Sequence, residues 1–516
     1  MNLVRAIGTI GGMTMVSRIA GFAREMLMAR IMGASGAADA FLVAFRLPNT
    51  FRRLFGEGAF SAGFVPLFSK RLHGEGGIED ARAFSEEVLA VFLPSLMLFT
   101  LVFELAMPLF VAAIASGYVG AKFDLTVTLT RITFPYLLLI SLVSLFSGVL
   151  NSLTRFAAAA FAPALLNVAM VGALLIVPDG GIATAHALAW GVVAGGVLQM
   201  ALMWNSARRA GISLRLRRPR LTPGVRQFFV VVIPATLGAG VYQVSQLIDT
   251  FFATRLPEGS ISYLNYADRL NQLPLSVIGT ALGTAILPQI SRMIAEDRPD
   301  EAAGVQSRAV ELAMLLCVPA FLALAAVAEP LVAALFQGGK FTAEDARVTG
   351  MTLAIIAAGL PAYVLVKVIT PGFYARQDTA TPVKTAVIVL IANIVLNFAL
   401  IPPFGIYGLA AAIALCSWLN CAMLYIVLRA RGHFRIEPWL WGRIARQLAA
   451  GALMVAALIG MKLLLADFFA GSTGRRLIAV VALCGTGGIV YFGTALLIGG
   501  MDRQGLALIL RRKRKA

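Results

Sequence analysis

Apolar stretches long enough to cross a bilayer recur along this chain, at 88–115, 132–150, 161–177, 225–240, 309–335, 383–401 and 477–498. A membrane-spanning helix needs roughly 20 such residues, and a helix satisfies its own backbone hydrogen bonds where lipid offers no partner. The polar interruptions divide the chain into fourteen predicted helices, at about 6–32, 37–70, 83–115, 124–151, 156–178, 182–207, 223–254, 260–293, 303–336, 343–373, 379–401, 405–429, 442–466 and 476–500. The expected fold class is therefore an all-α polytopic membrane protein with 14 transmembrane helices. The opening "MNLVRAIGTIGGMTMVSRIAGFAREM" is interrupted by Arg18, Arg24 and Glu25, so it reads as a first membrane helix rather than a cleavable signal.

The pattern also repeats. "GIATAHALAWGVVAGGVLQMAL" from Gly181 aligns with "GIYGLAAAIALCSWLNCAMLYI" from Gly405, "AGFVPLFSKR" near Pro66 with "GTAILPQISR" near Pro288, and "NSLTRF" near Arg155 with "FYARQD" near Arg376. The three offsets agree at about 221–224 residues. An even number of helices per repeat makes the halves point the same way, a plan used by transporters with binding sites between the halves. The expected division is an N-lobe at 1–207 (helices 1–6), a cytoplasmic basic linker at 208–222, a C-lobe at 223–431 (helices 7–12), and helices 13–14 with a basic tail at 432–516.

Composition sharpens this picture. The 516 residues are 59% hydrophobic and 14% charged, with mean hydropathy +0.83. Soluble domains sit near half apolar and a quarter charged. The net charge of +18 is laid out by topology. With the amino terminus inside, about 28 of the 44 Lys and Arg fall in cytoplasmic loops and tails and about 6 in the opposite loops, as the positive-inside rule requires. The basic runs "RRAGISLRLRRPR" and "RRKRKA" then mark orientation and contact with anionic lipid. They lack the aromatic interleaving of a nucleic-acid fold, so no nucleic-acid partner is expected. Cys317, Cys416, Cys421 and Cys484 have no metal-ligand spacing, and His73, His186 and His433 are scattered. "GGKFT" at 338–342 lacks P-loop spacing, and no catalytic motif is visible. A transporter is expected rather than an enzyme, with no cofactor and no firm metal.

The charges inside the spans carry the chemistry. Six arginines (Arg18, Arg24, Arg46, Arg52, Arg53, Arg269) stand against three acids (Glu25, Glu57, Asp268) in spans 1, 2 and 8, with Asp249 in span 7, Lys367 in span 10 and Asp39 near a span end. Each ionisable group at membrane depth costs at least ~2.5–3.5 kcal/mol and so faces protein or water. Arg53 and Glu57 are four apart and are expected to pair, and Glu25 follows Arg18 by seven residues on the same face. The arginine surplus points to an anionic guest, since guanidinium forks bind phosphate bidentately and stay charged when desolvated.

The segment "MTMVSRIAGFAREMLMARIMGASGAADAFLVAFRLPNTFRRLFGEGAFSAGFVP" resembles the amino-terminal signature of the MurJ/MviN family, lipid II flippases of the multidrug/oligosaccharidyl-lipid/polysaccharide exporter superfamily. "NYADRLNQLPLSVIGTALGTAILPQIS" and "VKVITPGFYARQDTATPVK" resemble its later motifs, in order and across essentially the whole chain. The resemblance implies two pseudo-symmetric six-helix lobes around a central cavity, with two C-terminal helices forming a lipid groove. It implies that lipid II, the undecaprenyl-pyrophosphate-linked peptidoglycan precursor, passes from the inner to the outer leaflet of the bacterial cytoplasmic membrane by alternating access. The alternatives are a flippase for another polyprenyl-pyrophosphate-linked saccharide and a multidrug exporter of the same superfamily.

The family's pyrophosphate-binding arginines match Arg18, Arg24, Arg52 and Arg269, with Glu25, Asp39, Arg53, Glu57, Asp268 and Lys367 as supporting or gating charges. Glu25 stands where the family often has Asp. Some relatives carry a cation site in the second lobe, for which Asp249 and Asp378 are the candidates here, although Leu390 and Ile394 offer no side-chain oxygen. Coupling to the membrane potential or to a monovalent cation is the expected energy source. The expected partners are lipid II, membrane lipids and peptidoglycan synthesis proteins, with the chain itself a monomer and both termini cytoplasmic.

Overall fold

The computed structural model of the chain describes residues 3–56 and 59–501. Among them every regular element is a helix, apart from one isolated bridge between Gly338 and Phe341. Eleven helical segments are long and apolar enough to cross a membrane. The other three expected spans, within 3–32, 36–56 with 59–72, and 223–253, are helical too where described, and they hold most of the in-span charges. The exterior is what lipid requires. Leu105, Ile176, Leu464 and Leu497 are 74%, 80%, 81% and 88% exposed, whereas Asp39, Arg24 and Glu25 are buried.

The chain packs into two compact units, 1–262 with 338–341, and 263–337 with 342–516. In the first, α1 (Leu3–Met32) leads to α2 (Gly36–Phe51), whose first turn is capped by Ser35, its hydroxyl accepting from the Ala38 amide at 3.3 Å. A π-turn at Arg52–Gly56 follows, and then α3 (Ala59–Leu72), α4 (Gly77–Leu105), α5 (Met107–Ile114), α6 (Gly120–Thr133), α7 (Tyr136–Ser152), α8 (Ala157–Ile176), α9 (Ile182–Arg209) and α10 (Pro223–Ala253). Thr222 caps α10 and Pro223 opens it, where the missing N–H costs nothing.

Lipid tails are as apolar as leucine, so burial alone does not drive helices together in a membrane. Close packing and polar contacts must do it. The first unit supplies an aromatic seam through α3, α4 and α10, where the Phe60 ring lies 5.3 Å from Phe92 and 5.2 Å from Phe228, and Phe64 lies 5.6 Å from Phe84. Such pairs contribute about 0.5–1.5 kcal/mol each beyond burial.

The second unit contains α11 (Ser260–Ala295, from residue 263), α12 (Pro299–Ala326), α13 (Ala328–Leu335), α14 (Ala343–Ala357), α15 (Leu360–Ile369), α16 (Pro371–Tyr374), α17 (Ala380–Phe404), α18 (Ile406–Ala430), α19 (Pro438–Leu464), α20 (Ala466–Ala470) and α21 (Thr473–Leu497). A reciprocal capping box starts α14: Thr342 Oγ1 accepts from the Asp345 amide at 3.1 Å, and Asp345 Oδ2 accepts from the Thr342 amide at 2.7 Å. The α17–α18 hairpin turns on Gly405 at φ +56°, and at Gly408 a Cβ would sit 2.1 Å from the Leu400 carbonyl oxygen. Only glycine allows that approach. Packing sets the unit boundary at residue 262, whereas the sequence repeat leads one to expect a lobe boundary at 208–222.

Candidate functional site

Arg24 projects from α1 onto α8. Its Nη1 donates to Asn167 Oδ1 at 3.0 Å and contacts Met170 Sδ at 3.4 Å, while its Nη2 donates to Glu25. The Asn167 amide nitrogen donates to the carbonyls of Ser17 at 3.2 Å and Pro163 at 3.3 Å. Those bonds turn its oxygen toward the guanidinium. The Arg24 Nε–H is buried with no hydrogen-bond partner among the described residues. An orphaned donor on a buried cation is costly, and an anionic oxygen would satisfy it. Arg18 is exposed on the same helix. Glu25, expected on Arg18's face, forms an ion pair with its neighbour Arg24.

Arg52 opens the π-turn at the end of α2. Its backbone N–H reaches the carbonyls of both Pro48 and Asn49, and its Nε donates to Asn49 Oδ1 at 3.0 Å. Single π-turns inside helices recur at functional sites. This one is braced by Phe51, whose ring meets Phe99, Phe103 and Phe134 edge-on at 5.2, 5.1 and 6.0 Å. Arg53 is half-buried in the same turn. Glu57, its expected partner, lies outside the described residues.

A third polar centre forms around Asp39, which is 1% exposed. Its carboxylate accepts from the Gly259 amide at 2.8 Å, the Ser262 amide at 3.0 Å, the Ser262 hydroxyl at 2.7 Å and Lys122 Nζ at 3.3 Å. These bonds tie the start of α2 to the turn that follows α10 and to α6. Nearby, Arg46 Nη1 donates to Thr250 Oγ1 at 2.5 Å. Asp249 is half-buried beside it on α10.

In the second unit, Asp268 accepts from Gln272 one turn along α11, and Arg269 is half-buried next to it. The Lys367 stem on α15 lies along the glycine face of α11, where a Cβ at Gly279 would come within 2.9 Å of Lys367 Cδ. Asp378 is less open than a cation ligand should be. It accepts from the Thr381 amide at 2.9 Å and hydroxyl at 2.6 Å, and from Arg431 Nη1 at 2.5 Å. The Thr381 bonds first, with the Arg431 ion pair, hold its carboxyl well below the usual range. Asp378 is thus ion-paired with Arg431 and hydrogen-bonded to the first turn of α17. Among the described residues no group of three or more His, Cys, Asp or Glu is placed to hold a metal ion.

The same unit holds an apolar cavity of about 310 Å³ between α12–α13 and α19–α21, lined by Leu316, Ala320, Leu331, Leu458, Leu483 and Phe492 among others. Two small residues open its floor, Gly487 and Gly488.

Sequence reasoning missed Asn167, Asn49, Lys122 and Ser262. Asn167 left a signal, as an amide at mid-span in "PALLNVAM". The others act through partners more than eighty residues away, or through a helix irregularity that hydropathy does not encode.

The comparisons with known proteins point one way. A family model described as "Lipid II flippase MurJ" matches residues 28–479. A protein of Rhizobium meliloti (strain 1021) named "Probable lipid II flippase MurJ" is 43% identical over 97% of this chain and 95% of its own length. A "Lipid II flippase MurJ" of Burkholderia cenocepacia is 39% identical over 97% of this chain and 98% of its own. Among solved structures, one described as "Lipid II flippase MurJ, inward closed conformation" superposes with TM-score 0.78 at 24% identity, covering 94% of this chain and 97% of that one. An inward-facing multidrug resistance transporter of the MATE family shares the fold with TM-score 0.66 at 15% identity, over 83% of this chain and 98% of that one.

Proposed function

Because the chain belongs to the lipid II flippase MurJ family, a family of transporters rather than enzymes, we propose that it carries lipid II from the inner to the outer leaflet of the cytoplasmic membrane for cell wall synthesis. The single observation that carries the chemistry is Arg24, a buried guanidinium with one acid beside it and one N–H left unsatisfied. Arg18, Arg52 and Arg269 complete the set that the family resemblance assigns to the pyrophosphate. A drug or cation antiporter would call for acids at these positions.

The mechanism is alternating access between two lobes. The pyrophosphate draws on the arginines, and neutralising them favours closure of the cytoplasmic side. For this to drive transport, the anion must contact the arginines differently in the two states. Asp39 serves as a gate, since its bonds to Gly259 and Ser262 must be made in one state and released in the other. The polyprenyl tail lies in lipid or in the apolar cavity beside α19 and α21. A membrane potential negative inside assists an outward-moving anionic headgroup by about 2.3 kcal/mol per charge per 100 mV.

The test is direct. The full chain is reconstituted with headgroup-labelled lipid II, and headgroup accessibility on the far leaflet is scored against protein-free vesicles. Far-leaflet labelling that exceeds the protein-free rate supports the reading, and equal rates overturn it.

A further inference from the structure

Between the end of α9 at Arg209 and the start of α10 at Pro223, residues 212–222 form no regular secondary structure. They are not loose. Ile212 and Leu214 are buried, and two consecutive acids of α4 clamp the residues from Arg215 to Thr222. Glu86 is itself buried and accepts from the Arg215 amide at 3.1 Å, Arg217 Nε at 2.7 Å and Arg82 Nε at 3.1 Å. Glu87 Oε2 accepts from the Thr222 hydroxyl at 2.8 Å.

The position of the clamp sets the height of this strap. The apolar run of α4 begins at 88, so Glu86 and Glu87 sit just outside membrane depth. Trp204 marks the same boundary on α9, with the Arg208 guanidinium 5.7 Å from its ring centre. Both strap ends are continuous with helices of the bundle, so the segment lies at headgroup level.

Its outward side is unusual for a segment in water. Glu86 consumes Arg217, but Arg218 and Arg220 are exposed. Leu216 and Leu221, 67% and 77% exposed, flank them. Exposed arginines flanked on both sides by bare leucines match a lipid interface, where leucine enters the acyl boundary and the guanidinium takes phosphate.

We propose that residues 215–221 form an acidic-phospholipid-binding strap, held against α4 by Glu86 and Glu87, with Arg218 and Arg220 on the headgroup phosphates and Leu216 and Leu221 seated between the acyl chains. Acidic lipid, and not zwitterionic lipid, is the occupant, because attraction to a negative surface adds a per-arginine term that a neutral surface does not supply. This does not depend on what the protein transports.

The test uses the full chain in vesicles, with Cys484→Ser and a fluorescent thiol label at Ser213→Cys. Spin-labelled phosphatidylglycerol and spin-labelled phosphatidylcholine serve as quenchers at equal mole fraction. The expected result is quenching on the order of thirtyfold more effective by the acidic lipid for the two arginines together, falling to parity in Arg218→Gln with Arg220→Gln. Leu216→Ser with Leu221→Ser is expected to weaken quenching by both lipids alike. Equal quenching by the two lipids in the unmodified strap overturns the proposal, as does a preference that survives loss of both arginines. Absence of quenching by either lipid also overturns it, and would mean the strap faces a protein partner. A thermal melt of the arginine variant, expected to match that of the unmodified strap, reports that it is folded.

Discussion

Replacing Asp39 by alanine should release the turn at 259–262 without unfolding the rest of the protein. The substitution strands two buried backbone donors, Gly259 and Ser262, along with the Ser262 hydroxyl and the Lys122 ammonium, which approach the carboxylate at 2.7–3.3 Å. Each donor left unsatisfied costs about 1–3 kcal/mol, and breaking a buried charge pair by removing one partner costs about 3–5 kcal/mol. Part of this is recovered when water reaches the opened turn, so we take about 3–5 kcal/mol as the local effect. That is on the order of a 10³-fold rise in the opening equilibrium. Amide hydrogen exchange on the protein in detergent or nanodiscs reads it at Gly259 and Ser262. Exchange there should accelerate by that order in Asp39→Ala, and less in Asp39→Asn, which keeps one acceptor oxygen. The aromatic seam around Phe60 and Phe64 should keep its protection. Unchanged exchange at 259–262 in a folded Asp39→Ala protein would refute the reasoning, as would a uniform loss of protection throughout.

Three further outcomes concern other sites. Asn167→Leu removes the amide that holds Arg24, and should destabilise the protein by about 1–3 kcal/mol and slow lipid II translocation, measured by thermal unfolding and vesicle assay. The Asp378 carboxyl is held below its ordinary value by Thr381 and Arg431, so its contribution is complete above about pH 4. It is lost as pH falls further through the folded-state value. The stability gap between wild type and Asp378→Ala should therefore be constant from pH 7 to about 4 and close below that, as read by thermal melts across pH. Gly487→Phe fills the apolar cavity and should slow translocation of full-length lipid II more than that of a short-tailed analogue, and equal slowing of both would remove the cavity from the tail's path.

Much of the architecture was legible because lipid imposes a one-dimensional signal. Runs such as 383–401 and 477–498 became α17 and α21, since a helix is the only way to hide that much backbone in hydrocarbon. The charged spans were legible as exceptions to it, and Arg24, Arg52 and Asp39 all proved to sit in specific polar surroundings. What was not legible depends on contacts distant in sequence. Helical periodicity places Glu25 on the face of Arg18, but it does not report that Glu25 also meets its sequence neighbour Arg24, which α8 holds through Asn167. No periodicity reports that α2 ends in a π-turn, which coincides with Phe51 seated among rings from α4 and the α6–α7 junction. Asp378 is a cation candidate through the family resemblance alone, and its ion pair is not visible in the sequence. Its partner Arg431 is 53 residues on. Glu86 stands in the polar first turns of α4, and its clamp on the linker exists only once the chain is folded.

The central claim is that arginines carry the pyrophosphate across. Its most direct measurement is far-leaflet exposure of labelled lipid II headgroup in vesicles holding Arg52→Ala, Arg269→Ala protein that elutes and melts as a folded species. The account predicts translocation reduced to the protein-free rate, with partial recovery when both positions carry lysine, which restores charge but not the bidentate fork. Translocation at the wild-type rate by the folded double-alanine protein would contradict it.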